Sequence, residues 1–147
     1  MLRTLLVLFL SFGISWFGYS QHKVHQTDQA PAPIGPYSQA IEANGMLFVA
    51  GQVGLEPVTK KLVPGGVEAE VPQIMENIKA ILRAAQLQLS DIVNTTIYVR
   101  DLSSFQKINA IYGKYFEKNF PARTTVGVAD LPAGATVEIA VIAVRQK

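Results

Sequence analysis

The sequence predicts one α+β domain in which two helices cover one face of a sheet, and three observations carry that prediction. Residues 67–85 and 103–116 show the three- and four-residue apolar spacing of amphipathic helices. Short apolar or alternating runs at 46–52, 91–100, 123–129 and 136–145 have the length and residue types of strands. The last of these runs is apolar at both its odd and its even positions, so that strand must be covered on both sides. The resulting order β, α, β, α, β, β belongs to a sandwich of helices on a sheet.

The chain begins with an address. Arg3 supplies a positive start, and residues 5–17 form an apolar run broken only by Ser11, Gly13 and Ser15. Gly18 and Ser20 are small residues at the −3 and −1 positions of a cut before Gln21, so residues 1–20 read as a secretory signal peptide and 21–147 as the mature domain. An uncleaved N-terminal anchor satisfies the same pattern, although the run is shorter than the roughly twenty residues a membrane span needs. Cleavage is the reading adopted. It predicts an exported protein, periplasmic or secreted, with no stable membrane association afterwards.

The mature chain opens with a polar, proline-rich segment, 26–36, read as an extended lead-in with turns. The strand at 46–52 ends at Gly51, and the Pro- and Gly-rich stretch 55–66 is a surface loop. Val67, Val71, Ile74, Ile78, Ile81, Leu82 and Ala85 mark one face of the first helix. Pro72 is expected in its first turn, where a missing N–H costs little. Val93, Thr95, Ile97 and Val99 are expected to share one side of the next strand. Ser103 is expected to cap the second helix with Gln106 as its capping-box partner, and Phe105, Ile108, Ile111, Tyr112, Tyr115 and Phe116 give that helix its apolar face. Residues 130–135 are turn-rich, so the last two strands are expected to form an antiparallel hairpin. Two helices cannot cover both faces of the final strand in so small a domain, which points to other subunits.

Composition narrows the chemistry. An apolar fraction of 49% in 147 residues allows a substantial core. A net charge of +2, with no long basic run, gives no footprint for nucleic acid, and none is expected as a partner. With no cysteine, thiolate catalysis, disulfides and Cys-ligated metal are excluded. The two histidines, His22 and His25, stand at the start of the mature chain, so a Ser-His-Asp triad or His-ligated metal within the domain is not expected. The available groups are carboxylates, arginine, hydroxyls, backbone and water, and no cofactor is called for.

Glu138 is the carboxylate out of place. Other acidic residues fall in loops, helix faces or element ends, whereas Glu138 is embedded in an apolar strand, where a carboxylate must be hydrogen-bonded, paired or used. In the expected hairpin Thr125 lies opposite Glu138, and Arg123 lies diagonal to it on the same face. The pair is then either a structural ion pair or the charged centre of a site. By themselves, Tyr37 is a turn aromatic and Asn109 a solvated helix residue.

Several stretches resemble a known family. Ala32-Pro33-Ile34-Gly35-Pro36-Tyr37-Ser38-Gln39-Ala40, Phe48-Val49-Ala50-Gly51-Gln52, Thr96-Ile97-Tyr98-Val99-Arg100-Asp101-Leu102, Phe120-Pro121-Ala122-Arg123-Thr124-Thr125-Val126 and Val137-Glu138-Ile139 are similar, in order and spacing, to the signature blocks of the RidA/YjgF (L-PSP-like) family. The resemblance implies a chorismate-mutase-like α+β fold with a mixed sheet, closed into a homotrimer with clefts between subunits. It implies hydrolysis of small 2-imino acids to 2-keto acids and ammonia. Arg123 matches the arginine that grips the substrate carboxylate, and Glu138 the carboxylate that positions or activates water. Tyr37, Gly51, Thr125 and, from the neighbouring helix, Phe105 and Asn109 match substrate-binding positions. Ala50 and Thr125 stand where the family often has serine and cysteine, and both bear on side-chain preference. The alternatives are single-strand RNA cleavage, which the L-PSP name carries, and a non-catalytic metabolite-binding or chaperone-like module.

Overall fold

The computed structural model describes residues 22–145; the leader expected at 1–20 lies outside them. Among the described residues no helix is long and apolar enough to cross a membrane. The chain forms strands β1 (Lys23–His25), β2 (Ala40–Ala43) and β3 (Met46–Val53), helix α1 (Val67–Ala84), strand β4 (Ile92–Val99), helix α2 (Phe105–Tyr112) and strands β5 (Ala122–Gly127) and β6 (Val137–Val144). The strands make one mixed sheet in the order β1-β2-β3-β6-β4-β5, with both helices on one face. The α+β sandwich is as expected.

The core lies between that face and the helices. Val71, Ile74, Ile78, Ile81 and Leu82 of α1 are buried against Leu47 and Val49 of β3 and against Val137, Ile139, Val141 and Ala143 of β6. Along β6 buried and half-buried residues alternate strictly. Ala140, Ile142 and Val144 therefore point away from the helices, and the register sets Phe48 beside Ile142 and Met46 beside Val144. The apolar row continues through Ile41 of β2 to Val24 of β1. Phe48 is 41% and Val24 51% exposed, so this second sheet face is apolar and, among the described residues, uncovered.

The expected β5–β6 hairpin is not formed. β5 pairs parallel with β4 at the sheet edge, and β6 runs between β3 and β4, antiparallel to both. The reason is α2. A helix between two strands makes a crossover that delivers the second strand parallel to the first, and the turn at Pro132–Gly134 then carries the chain across β4 to its far side.

Smaller expectations also shift. Pro72 is the sixth residue of α1, a turn later than expected, and leaves the Glu68 carbonyl without its usual donor. A 3-10 turn (Leu102–Ser104) precedes α2, and its cap is Asp101, whose carboxylate accepts from the Ser103 N–H at 2.9 Å, so Ser103 and Gln106 do not form the cap. A bulge between Ile92 and Asn94 turns Val93 out to solvent, while Thr95, Ile97 and Val99 stay in the core.

Candidate active site

Glu138 sits on the uncovered face, beside Tyr98 of β4 and Val53 of β3. A second irregularity shapes its surroundings. Between Val49 and Gln52 strand β3 carries one residue more than β6, a bulge that brings Gly51 against the Glu138 side chain. A Cβ at Gly51 would fall 2.7 Å from Glu138 Cδ and closer still to Oε1, so only glycine leaves the carboxylate its place. Gln52, buried beneath, donates from Nε2 to the carbonyls of Ala50 (3.1 Å) and Gly51 (3.3 Å), stitching the bulge together.

The lead-in loop supplies the other wall. Buried Gln39 accepts the Thr27 N–H at 2.7 Å and donates to the carbonyls of Thr27, Ala30 and Pro31. From this anchor the chain reaches Tyr37, whose hydroxyl accepts the Ile34 N–H at 3.3 Å. Tyr37, Gly51 and Glu138 thus line one cleft of about 270 Å³. Burial raises the Glu138 carboxyl above its ordinary value.

Arg123 lies elsewhere. In β5 it is paired with Thr95 and Thr125 with Ile97, which sets both on the helix-covered face. The Arg123 guanidinium lies over the rings of Phe105 (5.7 Å) and Tyr112 (5.4 Å) of α2. Among the described residues it has no carboxylate partner within ion-pair distance. Tyr112 is fixed by a 2.9 Å hydroxyl bond to Thr95. Burial raises its phenol, with the Thr95 bond and the Arg123 charge acting in the opposite sense. Asn109, Tyr112 and Arg123 line a second cleft of about 430 Å³. Asn109 is not the solvated residue of the default reading, because its Oδ1 is buried and, among the described residues, unpartnered. A buried acceptor with nothing bonded to it is costly and points to a ligand donor.

The expected same-face pairing of Arg123 with Glu138 is therefore overturned: one chain carries two half-sites on opposite faces of its sheet. One holds an arginine fork, a carboxamide and two aromatic rings; the other holds a desolvated carboxyl, a glycine backbone and a phenol. Thr125 stands half-buried on the Arg123 side. Sequence reasoning missed Tyr112 as a site residue, although Phe105, Asn109 and Tyr112 follow one another at four- and three-residue spacing on one helix face.

Comparison with known proteins bears on the family and the fold. The family described as endoribonuclease L-PSP matches residues 27–145. The mouse protein named 2-iminobutanoate/2-iminopropanoate deaminase is 46% identical over 123 residues, covering 84% of this chain and 91% of its own. The crystal structure of the E. coli YjgF gene product superposes with a TM-score of 0.80 at 42% identity, over 84% of this chain and 99% of that one. The crystal structure of E. coli TdcF with bound serine has a TM-score of 0.80 at 38% identity, with the same coverage.

Proposed function

The chain belongs to the RidA/YjgF (endoribonuclease L-PSP) family, and on that premise we propose that it is a hydrolytic deaminase converting reactive 2-imino acids to 2-keto acids and ammonia. The observation that carries the reading is the complementary chemistry of the two half-sites, an arginine with no carboxylate partner among the described residues in one and a desolvated carboxyl in the other. The similar mouse protein bears a deaminase name, and TdcF holds a small amino acid.

In this mechanism Arg123 takes the substrate carboxylate in a bidentate grip, with Phe105 and Tyr112 holding the guanidinium plane. Asn109 meets a substrate donor through its free oxygen. Glu138, ionised, takes a proton from a water as the water oxygen bonds to the imine carbon. With the imine protonated on nitrogen, that proton then passes from Glu138 to the nitrogen of the tetrahedral intermediate; as the C–N bond breaks, the new hydroxyl returns its proton to Glu138, the keto C=O forms and ammonia leaves. Tyr37 closes the Glu138 cleft, and Gly51 leaves the carboxylate room. The imine carbon is already electrophilic, so orienting the water and accepting its proton suffice.

The proposal requires an assembly. The half-sites meet only if the uncovered sheet face of one copy brings its Glu138 cleft to the β5 edge of the next. A homotrimer closed through that apolar face satisfies this requirement and covers Phe48, Ile142 and Val144.

The test is ammonia release from freshly generated 2-iminopropanoate and 2-iminobutanoate. The wild-type protein should accelerate it, and Arg123→Lys should lose at least about a hundredfold, since two charge-assisted bonds at roughly 1.5–3 kcal/mol each are replaced by a point charge. No acceleration by the wild type, or near-wild-type turnover in the variant, contradicts the reading.

A further inference from the structure

Three polar side chains, Glu70, Gln73 and Asn77, follow one another at three- and four-residue spacing along α1. Glu70 is 1% exposed and Asn77 fully buried, deeper than the half-buried Glu138. Glu70 Oε2 accepts the backbone N–H of Thr136 at 2.8 Å and of Val137 at 3.3 Å. Those are the two residues immediately before Glu138. Asn77 Nδ2 donates to the carbonyl of Leu55 at 3.0 Å and of Val53 at 3.5 Å, and Gln73 donates to Asn77 Oδ1 at 3.0 Å. Val53–Leu55 directly follows the Gly51–Gln52 bulge. Gly54 lies so close to the helix that a Cβ there would stand 2.9 Å from Glu70 Cα.

One side of α1 thus grips both chain segments that form the Glu138 cleft, one just before the carboxylate and one just after the glycine it packs on. A buried carboxyl is an expensive way to fill a core position. What Glu70 provides that an apolar side chain cannot is an acceptor for two N–H groups at the mouth of β6. Asn77 likewise supplies an N–H donor to the buried Leu55 carbonyl, and at 3.5 Å a second donor to the Val53 carbonyl, which also accepts the Leu55 N–H at 2.7 Å.

We infer that Glu70 is a positioning residue for Glu138: by holding the Thr136 and Val137 amides it sets where the Glu138 carboxyl stands relative to Gly51 and to the attacking water. The inference rests on the hydrolytic reading above and adds to it a residue outside both clefts. Its action is on the proton acceptor alone, because Arg123 and Asn109 belong to the other half-site. Loss of Glu70 therefore slows the water step and leaves the grip on the substrate carboxylate intact.

The experiment uses the full assembled protein with Glu70→Gln, Glu70→Asp and Asn77→Ala. Gln keeps an acceptor oxygen at the same reach and should retain kcat within about threefold, whereas Asp withdraws it by one methylene and should lose about tenfold or more in kcat with KM for 2-iminopropanoate nearly unchanged. Asn77→Ala frees the opposite arm and should show the same kcat-selective loss, which keeps the test open if Glu70→Asp does not fold. A second readout needs no turnover: the Glu138 carboxyl, followed by 13C NMR titration, should shift its midpoint in Glu70→Asp and Asn77→Ala but not in Glu70→Gln. Unchanged kcat and an unmoved Glu138 midpoint in both variants, with only a lower Tm, overturn the inference. If the wild type hydrolyses no imine the proposed function fails, and the titration still decides whether Glu70 positions Glu138.

Discussion

Two side chains account for most of the proposed chemistry, and each is unusual for a different reason. Arg123 is exposed yet held in place, its guanidinium resting on two rings and, among the described residues, bonded to no carboxylate. Glu138 is partly desolvated and braced against a glycine, so it accepts a proton more readily than a solvated carboxylate would. Glu138→Gln preserves the shape and one acceptor oxygen but cannot take the proton. Turnover should fall about 10²–10⁴-fold while binding of the keto-acid product, measured by pyruvate titration on the same variant, changes little. Retained hydrolysis would exclude the base role and favour a metabolite-binding module. At this scale Arg123 was legible because it stands at the mouth of a strand, Gly51 through the family resemblance, and Glu138 because a charge interrupts an apolar strand. Glu70 and Asn77 left the same signal: both fall on the stripe Val67, Val71, Ile74, Ile78, Ile81, where a polar residue must find partners inside the core. Read only for its apolar members, that stripe hides them.

The elements differ in how plainly they announce themselves. β3, β4, β6 and both helices are long enough for their periodicity to be read, and they stand within a few residues of the expected bounds. β1 and β2 are three and four residues long, too short for a period, and exist because β3 offers an edge to pair with. The β5–β6 turn misled because local turn chemistry says nothing about which strands the turn joins; the crossover rule for β4, α2 and β5 decides that. β1 is fastened by side chains as well as by its ladder. His25 Nε2 and Glu42 lie 2.7 Å apart, and Arg145 Nε donates to Glu42 at 3.2 Å while its Nη2 reaches the Ala85 carbonyl at 2.7 Å. The Arg145 bond, ahead of the His25 bond, holds the Glu42 carboxyl below its ordinary 4.5, against the opposing effect of desolvation. A depressed carboxyl stabilises the fold above its unfolded pKa and loses that contribution as pH falls through the folded value. Glu42→Gln should therefore destabilise by about 1 kcal/mol at pH 7, a modest amount because Arg145 is partly solvated, and the gap to wild type should close in acid below the ordinary carboxylate range. Urea midpoints at pH 7 and in acid check this; an equal gap at both would place the effect outside the ion pair.

The whole molecule poses the problem that its parts do not solve. A strand apolar on both faces, read from the sequence as a sign of assembly, lies in a sheet whose second face carries Val24, Ile41, Phe48 and Ile142 without a cover. The same face holds Glu138, while Arg123 points to the other. In the proposed mechanism neither half-site is completed within one chain, so burial of the apolar face and assembly of the site would be one event. This could not be read from the chain, because residues close in sequence, Arg123 and Glu138, part company at the β5–β6 crossing, and the proposed site brings them together only through a second copy. The most direct measurement mixes two inactive variants. Arg123→Lys and Glu138→Gln each spoil every site when alone. In a mixed ring one interface always pairs the intact Arg123 of one copy with the intact Glu138 of its neighbour. Co-refolded in equal amounts, the two should recover about a quarter of wild-type imine hydrolysis, with the protein running as a trimer by light scattering. A mixture no more active than its components, once exchange of subunits has been verified, would contradict a site shared between copies.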